Sequence, residues 1–136
     1  MKIRLSKLSK QKRRYIDLAA RIAQSSTYSS FNHGCVLVKG GSVINVSCNK
    51  GNYCSFGSRF KQHTARLHST LHAELGAVLG LDRSLTSGSV AYVVRIKEEE
   101  YRMSKPCEMC EEAVKFCGVK KVIYTTNDDS VIVEKL

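Results

Sequence analysis

The run Ser89 to Ile96 constrains this chain more than any other stretch. Val90, Tyr92, Val94 and Ile96 alternate with Ala91 and Val93, so an extended strand here carries apolar side chains on both faces. Such a strand cannot sit with one side in water. It is expected at the centre of a sheet that is covered on both sides.

The remaining elements arrange themselves around that strand. Residues 1 to 8 read as a basic arm. Ser9 is placed to cap a helix running to about Gln24, with Tyr15, Ile16, Ala19, Ile22 and Ala23 on one apolar face. Ser25 to Asn32 reads as a polar loop. Cys35 to Val38 and Val43 to Asn49 read as two strands joined at Gly40-Gly41, a dipeptide that accepts positive φ.

Lys50 to Ser69 shows no clear period, and long loops in compact domains are commonly functional. A helix is expected from about Leu71 to Leu79, capped by Ser69 or Thr70, and a second from Cys107 to Cys117 between Pro106 and Gly118. Glu98-Glu99-Glu100 reads as a solvated loop. Lys121 to Thr125 and Val131 to Glu134 complete the strands. Only 126 to 130 join these two, too few residues for a crossover helix, so they should pair as an antiparallel hairpin. The expectation is an α/β fold of three αβα layers around a five-stranded mixed sheet, a single domain over 1–136.

Composition narrows the class. With 136 residues and 43% hydrophobic content, the chain can bury one core. It has no apolar run long enough to cross a bilayer and no secretory leader pattern, so no membrane partner is expected. Six cysteines in a chain with its own core fit a reducing, cytoplasmic setting with thiols kept for metal. The net charge of +10 is uneven: residues 1 to 21 hold eight Lys or Arg against Asp17 alone, and no acidic side chain lies between Arg21 and Glu74. Such a surface suits a phosphorylated ligand or a nucleic acid, although a solubilising helix face explains it equally well.

The chemistry concentrates in His72-Ala73-Glu74 and in Pro106-Cys107-Glu108-Met109-Cys110. Imidazole and thiolate are zinc ligands, and His72, Cys107 and Cys110 would leave a fourth tetrahedral position open, as catalytic zinc sites do. Both segments stand at expected helix starts, where partial positive charge favours thiolate. On a helix, residues two apart point about 200° apart, so spacing alone does not bring His72 and Glu74 together.

This His-x-Glu and Pro-Cys-x-x-Cys pairing, in this order and with this gap, resembles the zinc-dependent cytidine and deoxycytidylate deaminase superfamily. The resemblance implies a cytidine deaminase-like fold. Its C-terminal hairpin is similar to that of the cytidine deaminase branch. It also implies hydrolytic deamination at C4 of cytosine, with His72, Cys107 and Cys110 holding one catalytic Zn2+. Glu74 would move the proton from water to N3 and then to the leaving amine. Among substrate contacts it implies Phe31 over the base, the Ala73 backbone at the base, and Asn49 at the ribose. Where cytidine deaminases carry a ribose-binding Glu, this chain has Gly51. With Lys50, Arg59, Lys61 and Arg66 nearby in sequence, that favours a 5′-phosphate, hence dCMP or CMP over a nucleoside. The alternative is a polynucleotide base deaminase acting on tRNA or single-stranded DNA, gripped by residues 1 to 21. A second, structural zinc on Cys48, Cys54, His63 and His68 is a further expectation, as is a homo-oligomer.

Overall fold

The structure, a computed structural model, describes residues 1–26, 32–53 and 70–136. Its elements in chain order are β1 (Lys2–Arg4), a 3-10 turn (Leu5–Lys7), α1 (Lys10–Ala23), β2 (Asn32–Lys39), β3 (Ser42–Cys48), β4 (Lys50–Tyr53) and β5 (Thr70–Leu71). There follow α2 (Ala73–Val78), α3 (Arg83–Thr86), β6 (Val90–Lys97), β7 (Glu100–Arg102), α4 (Glu108–Phe116), β8 (Lys121–Thr125) and β9 (Ser130–Lys135).

The strand apolar on both faces, β6, is central. It pairs antiparallel with β2 from Val90 to Ile96 along one edge. Its other edge is divided, with β8 parallel over Val90–Val93 and β7 antiparallel over Arg95–Lys97. The strand order is β1-β9-β8-β6-β2-β3, and β8 and β9 form the expected antiparallel hairpin.

Alternation along the central strands sorts the core into two layers. Cys35 and Leu37, Ala91 and Val93, and Val122 and Tyr124 join Ala73, Ala77 and Val114 of α2 and α4. Val36 and Val38, Tyr92 and Val94, and Ile123 face Ile16 and Ala19 of α1 instead. The three-layer αβα arrangement is therefore a consequence of period-two patterning with both phases apolar.

The approach of α1 to the sheet is set by Gly34. A Cβ there would stand 2.1 Å from the Ala19 carbonyl oxygen, so no larger residue leaves room for the helix. Ser9 caps α1 as expected, its hydroxyl accepting from the Lys12 N–H at 3.3 Å.

Four expectations are corrected. The sheet has seven strands rather than five. Residues 2 to 4 are no arm: they pair with Ser130–Ile132 as an edge strand, and Leu5 is buried. Short sequences of mixed polarity become strands when a neighbour offers unpaired backbone groups, which residue type does not reveal. The acidic run is a hairpin tip, with Glu98 and Glu99 at φ 53° and 64° joining Lys97 to Glu100. Two consecutive positive φ values define a tight turn that Asn-Gly would normally signal, so Glu-Glu conceals it. Within the expected loop, Lys50–Tyr53 forms β4, which pairs antiparallel with Thr70–Leu71. This pairing takes the expected helix start at Leu71 into a strand, so the helix begins at Ala73 with His72, not Ser69 or Thr70, as its N-cap.

Candidate metal centre

The starts of two helices meet at one end of the sheet. His72 is the N-cap of α2, with extended backbone at φ −78° and ψ 155°, and Cys107 is the N-cap of α4, at φ −68° and ψ 166°. Neither side chain caps its own helix, which leaves both for other partners. The His72 Nδ1 lies 3.1 Å from the Cys110 Sγ and 3.7 Å from the Cys107 Sγ. Because His72 stands outside the helix, the 200° separation that helical spacing imposes on residues two apart does not apply to His72 and Glu74.

These three donors fit zinc. Their ligand atoms all lie within 4.8 Å of one another. Tetrahedral coordination with Zn–N near 2.0 Å and Zn–S near 2.3 Å needs N···S separations of about 3.6 Å, close to what the side chains already adopt. The Cys107 thiol is pulled down to about 4, first by the hydrogen bond from Cys110, with His72 adding to the effect. Cys110 is pushed well above its usual range by that same bond and by burial. That opposition favours a thiolate at Cys107 beside an imidazole, a donor set that suits a divalent cation.

Glu74 lies on the first turn of α2 and is buried, at 6% exposure. Burial pushes its carboxyl pKa up, while the neighbouring His72 pulls it back. Cys35 on β2 is fully buried, and its thiol is raised by burial and then by Glu74. It lies near enough to Glu74 to feel its charge. Ala73 is buried at the first position of α2.

Asn49 is buried at the end of β3, and its side-chain oxygen accepts from the His33 N–H at 2.9 Å. Its backbone N–H donates to the His33 carbonyl at 3.2 Å, and its carbonyl accepts from the Ser26 hydroxyl at 3.1 Å. The next residue, Lys50, pairs with Leu71, one residue before His72. A short series of contacts therefore links Asn49 to the metal cluster. Phe31 and Arg59 lie outside the described residues, as do Cys54, His63 and His68 of the expected second zinc site. Cys48 is buried on β3. Among the described residues, His72, Cys107 and Cys110 are the only group of three arranged to hold a metal.

One residue escaped sequence reasoning. Ser104 is buried two positions before Pro106, and its hydroxyl bridges β6 and β8 where the two strands part. A serine near Pro-Cys carries no signal of its own; only the pairing of β6 and β8 exposes its task.

Residues 9–126 match the family model described as "Cytidine and deoxycytidylate deaminase zinc-binding region". No curated protein matches the chain in sequence. Among solved structures, the fold is similar to dCMP deaminase from the cyanophage S-TIM5. The apo form is 23% identical at TM-score 0.59, over 90% of this chain and 88% of that one. The same enzyme in complex with dCMP and dUMP is 28% identical at TM-score 0.59, over 86% and 82% of the two chains. Acinetobacter baumannii RibD is similar at 23% identity and TM-score 0.53, but this chain spans only 28% of it.

Proposed function

The chain belongs to the cytidine and deoxycytidylate deaminase family, and on that premise we propose that it deaminates a cytosine mononucleotide, dCMP or CMP, hydrolytically. The observation that carries the reading is the convergence of His72, Cys107 and Cys110 beside the buried Glu74. A zinc ion held by these three side chains would supply a water that is nucleophilic near neutral pH.

The chain's own residues do the rest. Glu74 takes one proton from the attacking water and passes it to N3, then takes the second from the oxygen added at C4 and gives it to the exocyclic amine, so that C4 becomes a carbonyl and ammonia leaves. Burial favours the protonated form of Glu74, so the carboxyl is suited to giving a proton as well as taking one. The backbone of Ala73 and the side chain of Phe31 hold the base in this proposal, and Asn49 the sugar. The Asn49 side chain is oriented for that work by its hydrogen bond to His33.

Three considerations support a nucleotide over a nucleoside. Gly51 stands where cytidine deaminases carry a ribose-binding Glu, so a carboxylate that would repel a 5′-phosphate is missing, and Lys50 and Arg59 bring positive charge nearby in sequence. The phage enzyme, 28% identical, was solved in complex with dCMP and dUMP. Among the described residues no helix is long and apolar enough to cross a membrane. The thiolates that the site requires point to a reducing, cytoplasmic setting, and the chain is proposed to work as a homo-oligomer.

The test is ammonia release from dCMP, CMP, cytidine and a cytosine-containing oligonucleotide. Turnover of a mononucleotide with little from cytidine supports the reading. Turnover of the oligonucleotide alone would replace it with the polynucleotide alternative.

A further inference from the structure

We propose that the outer face of α1 is a docking track for the phosphate backbone of a polynucleotide, with Lys10, Arg14 and Arg21 as its contacts. Ile16, Ala19 and Ala23 bury the inner face of this helix against the sheet. At about 100° per residue, Lys10, Arg14 and Arg21 fall within roughly 40° of one another on the opposite side, along about 16 Å of helix axis. All three are exposed. Among the described residues, none of their side chains has an ion-pair or hydrogen-bond partner.

One acid shares the stripe, and its charge is already met. The Asp17 carboxylate lies 3.5 Å from Arg13 Nε and accepts from the Tyr101 hydroxyl at 3.4 Å. What remains is a row of like charges whose mutual repulsion a polyanion relieves.

The surface suits a polynucleotide better than an anionic membrane. A helix lying in a lipid interface must bury apolar side chains there. None of the exposed large hydrophobic residues belongs to α1, whose apolar stripe is used up by the sheet.

Placement gives the track a direction. It lies on the face of the sheet away from α2 and α4, so it is not a wall of the metal centre. Its N-terminal half stands by the β2–β3 turn, where the Tyr15 hydroxyl donates to the Gly41 carbonyl at 2.8 Å. Its far end, past Arg21, reaches Asn49 through Ser26. A backbone held along α1 therefore runs toward the end of the sheet that carries His72 and Glu74. The proposal concerns binding and does not rest on the deaminase reading.

The experiment follows anisotropy of a labelled single-stranded oligonucleotide of about 20 nucleotides as salt rises from about 50 to 200 mM. Replacing three phosphate contacts in K10A/R14A/R21A is expected to flatten the log–log salt dependence by about 2, at roughly 0.7 per contact. The variant K97A/K120A/K135A removes equal charge from exposed positions elsewhere and is expected to keep the wild-type slope. Thermal melting of both variants verifies folding, and R14E alone provides the same readout should the triple variant melt early. Equal losses in the two triple variants, or salt-insensitive wild-type binding, would overturn the proposal. So would wild-type binding to phosphatidylserine vesicles as tight as to the oligonucleotide.

Discussion

The Ser104 hydroxyl donates to the Val93 carbonyl at 2.8 Å and accepts the Thr125 N–H at the same distance. It thereby continues the β6–β8 pairing one step past the last parallel register pair, Val93 and Tyr124. The Ser104 N–H also donates to the Thr125 carbonyl at 3.0 Å. The chain entering Pro106 and Cys107 is thus fastened at the point where two parallel strands open. Ser104→Ala strands two buried backbone groups, and a loss of about 2–4 kcal/mol in stability is expected. Urea unfolding measures it, and an unchanged midpoint would remove Ser104 from the account.

Glu74→Gln keeps the size and loses the proton carrier. It is expected to retain zinc by metal analysis and to lose about 10²–10⁴ in deamination rate. A variant with full activity would end the assignment of Glu74 as the proton-moving group.

Zinc binding is expected to depend on all three ligands together. Cys110→Ser or His72→Ala should leave less than one zinc per chain, and chelation of the wild type should lower its melting temperature, because a ligand held only by the folded state adds to stability. Purified wild type melting identically with and without chelator would contradict this.

Alkaline sensitivity follows from Tyr92. Its hydroxyl is pushed up to about 12, mainly by burial and further by Tyr15, whose ring centroid lies 5.1 Å away. Between about pH 10 and 12 the unfolded chain releases a proton that the folded chain keeps. Stability is therefore full below about pH 10 and declines as pH rises through 12. Tyr124, also raised to about 12, adds to the same decline. Denaturation midpoints measured across this window should fall with pH, and fall less steeply in Tyr92→Phe.

Gly34→Ala tests the packing of α1. Its new Cβ would sit 2.1 Å from the Ala19 oxygen and 2.7 Å from the Ala23 nitrogen, both backbone atoms that move only with the helix. A loss of about 2 kcal/mol or more is expected. Wild-type melting would show that α1 has another seat on the sheet.

Much of this molecule was legible residue by residue. The doubly apolar strand, the Ser9 cap, the Gly40-Gly41 turn and the short link that makes β8 and β9 an antiparallel hairpin each follow from local geometry, and each appears in the structure. The paired motif likewise identified the three side chains that come together. Glu98-Glu99 and residues 2 to 4 were not legible. A turn held at positive φ by strand pairing, and an edge strand created by an available neighbour, depend on partners distant in the chain.

Periodicity and residue chemistry within short windows determined that this chain has a central strand covered on both sides, and that an imidazole and two thiols were available as ligands. Only the tertiary structure decided that His72 stands outside its helix, turned toward Cys110, and that Ser104 joins two strands at the mouth of the site. The physical reason is range. Side-chain patterning reports burial along one element, whereas convergence of groups 35 and 38 residues apart depends on how separate elements pack, and no local window contains that.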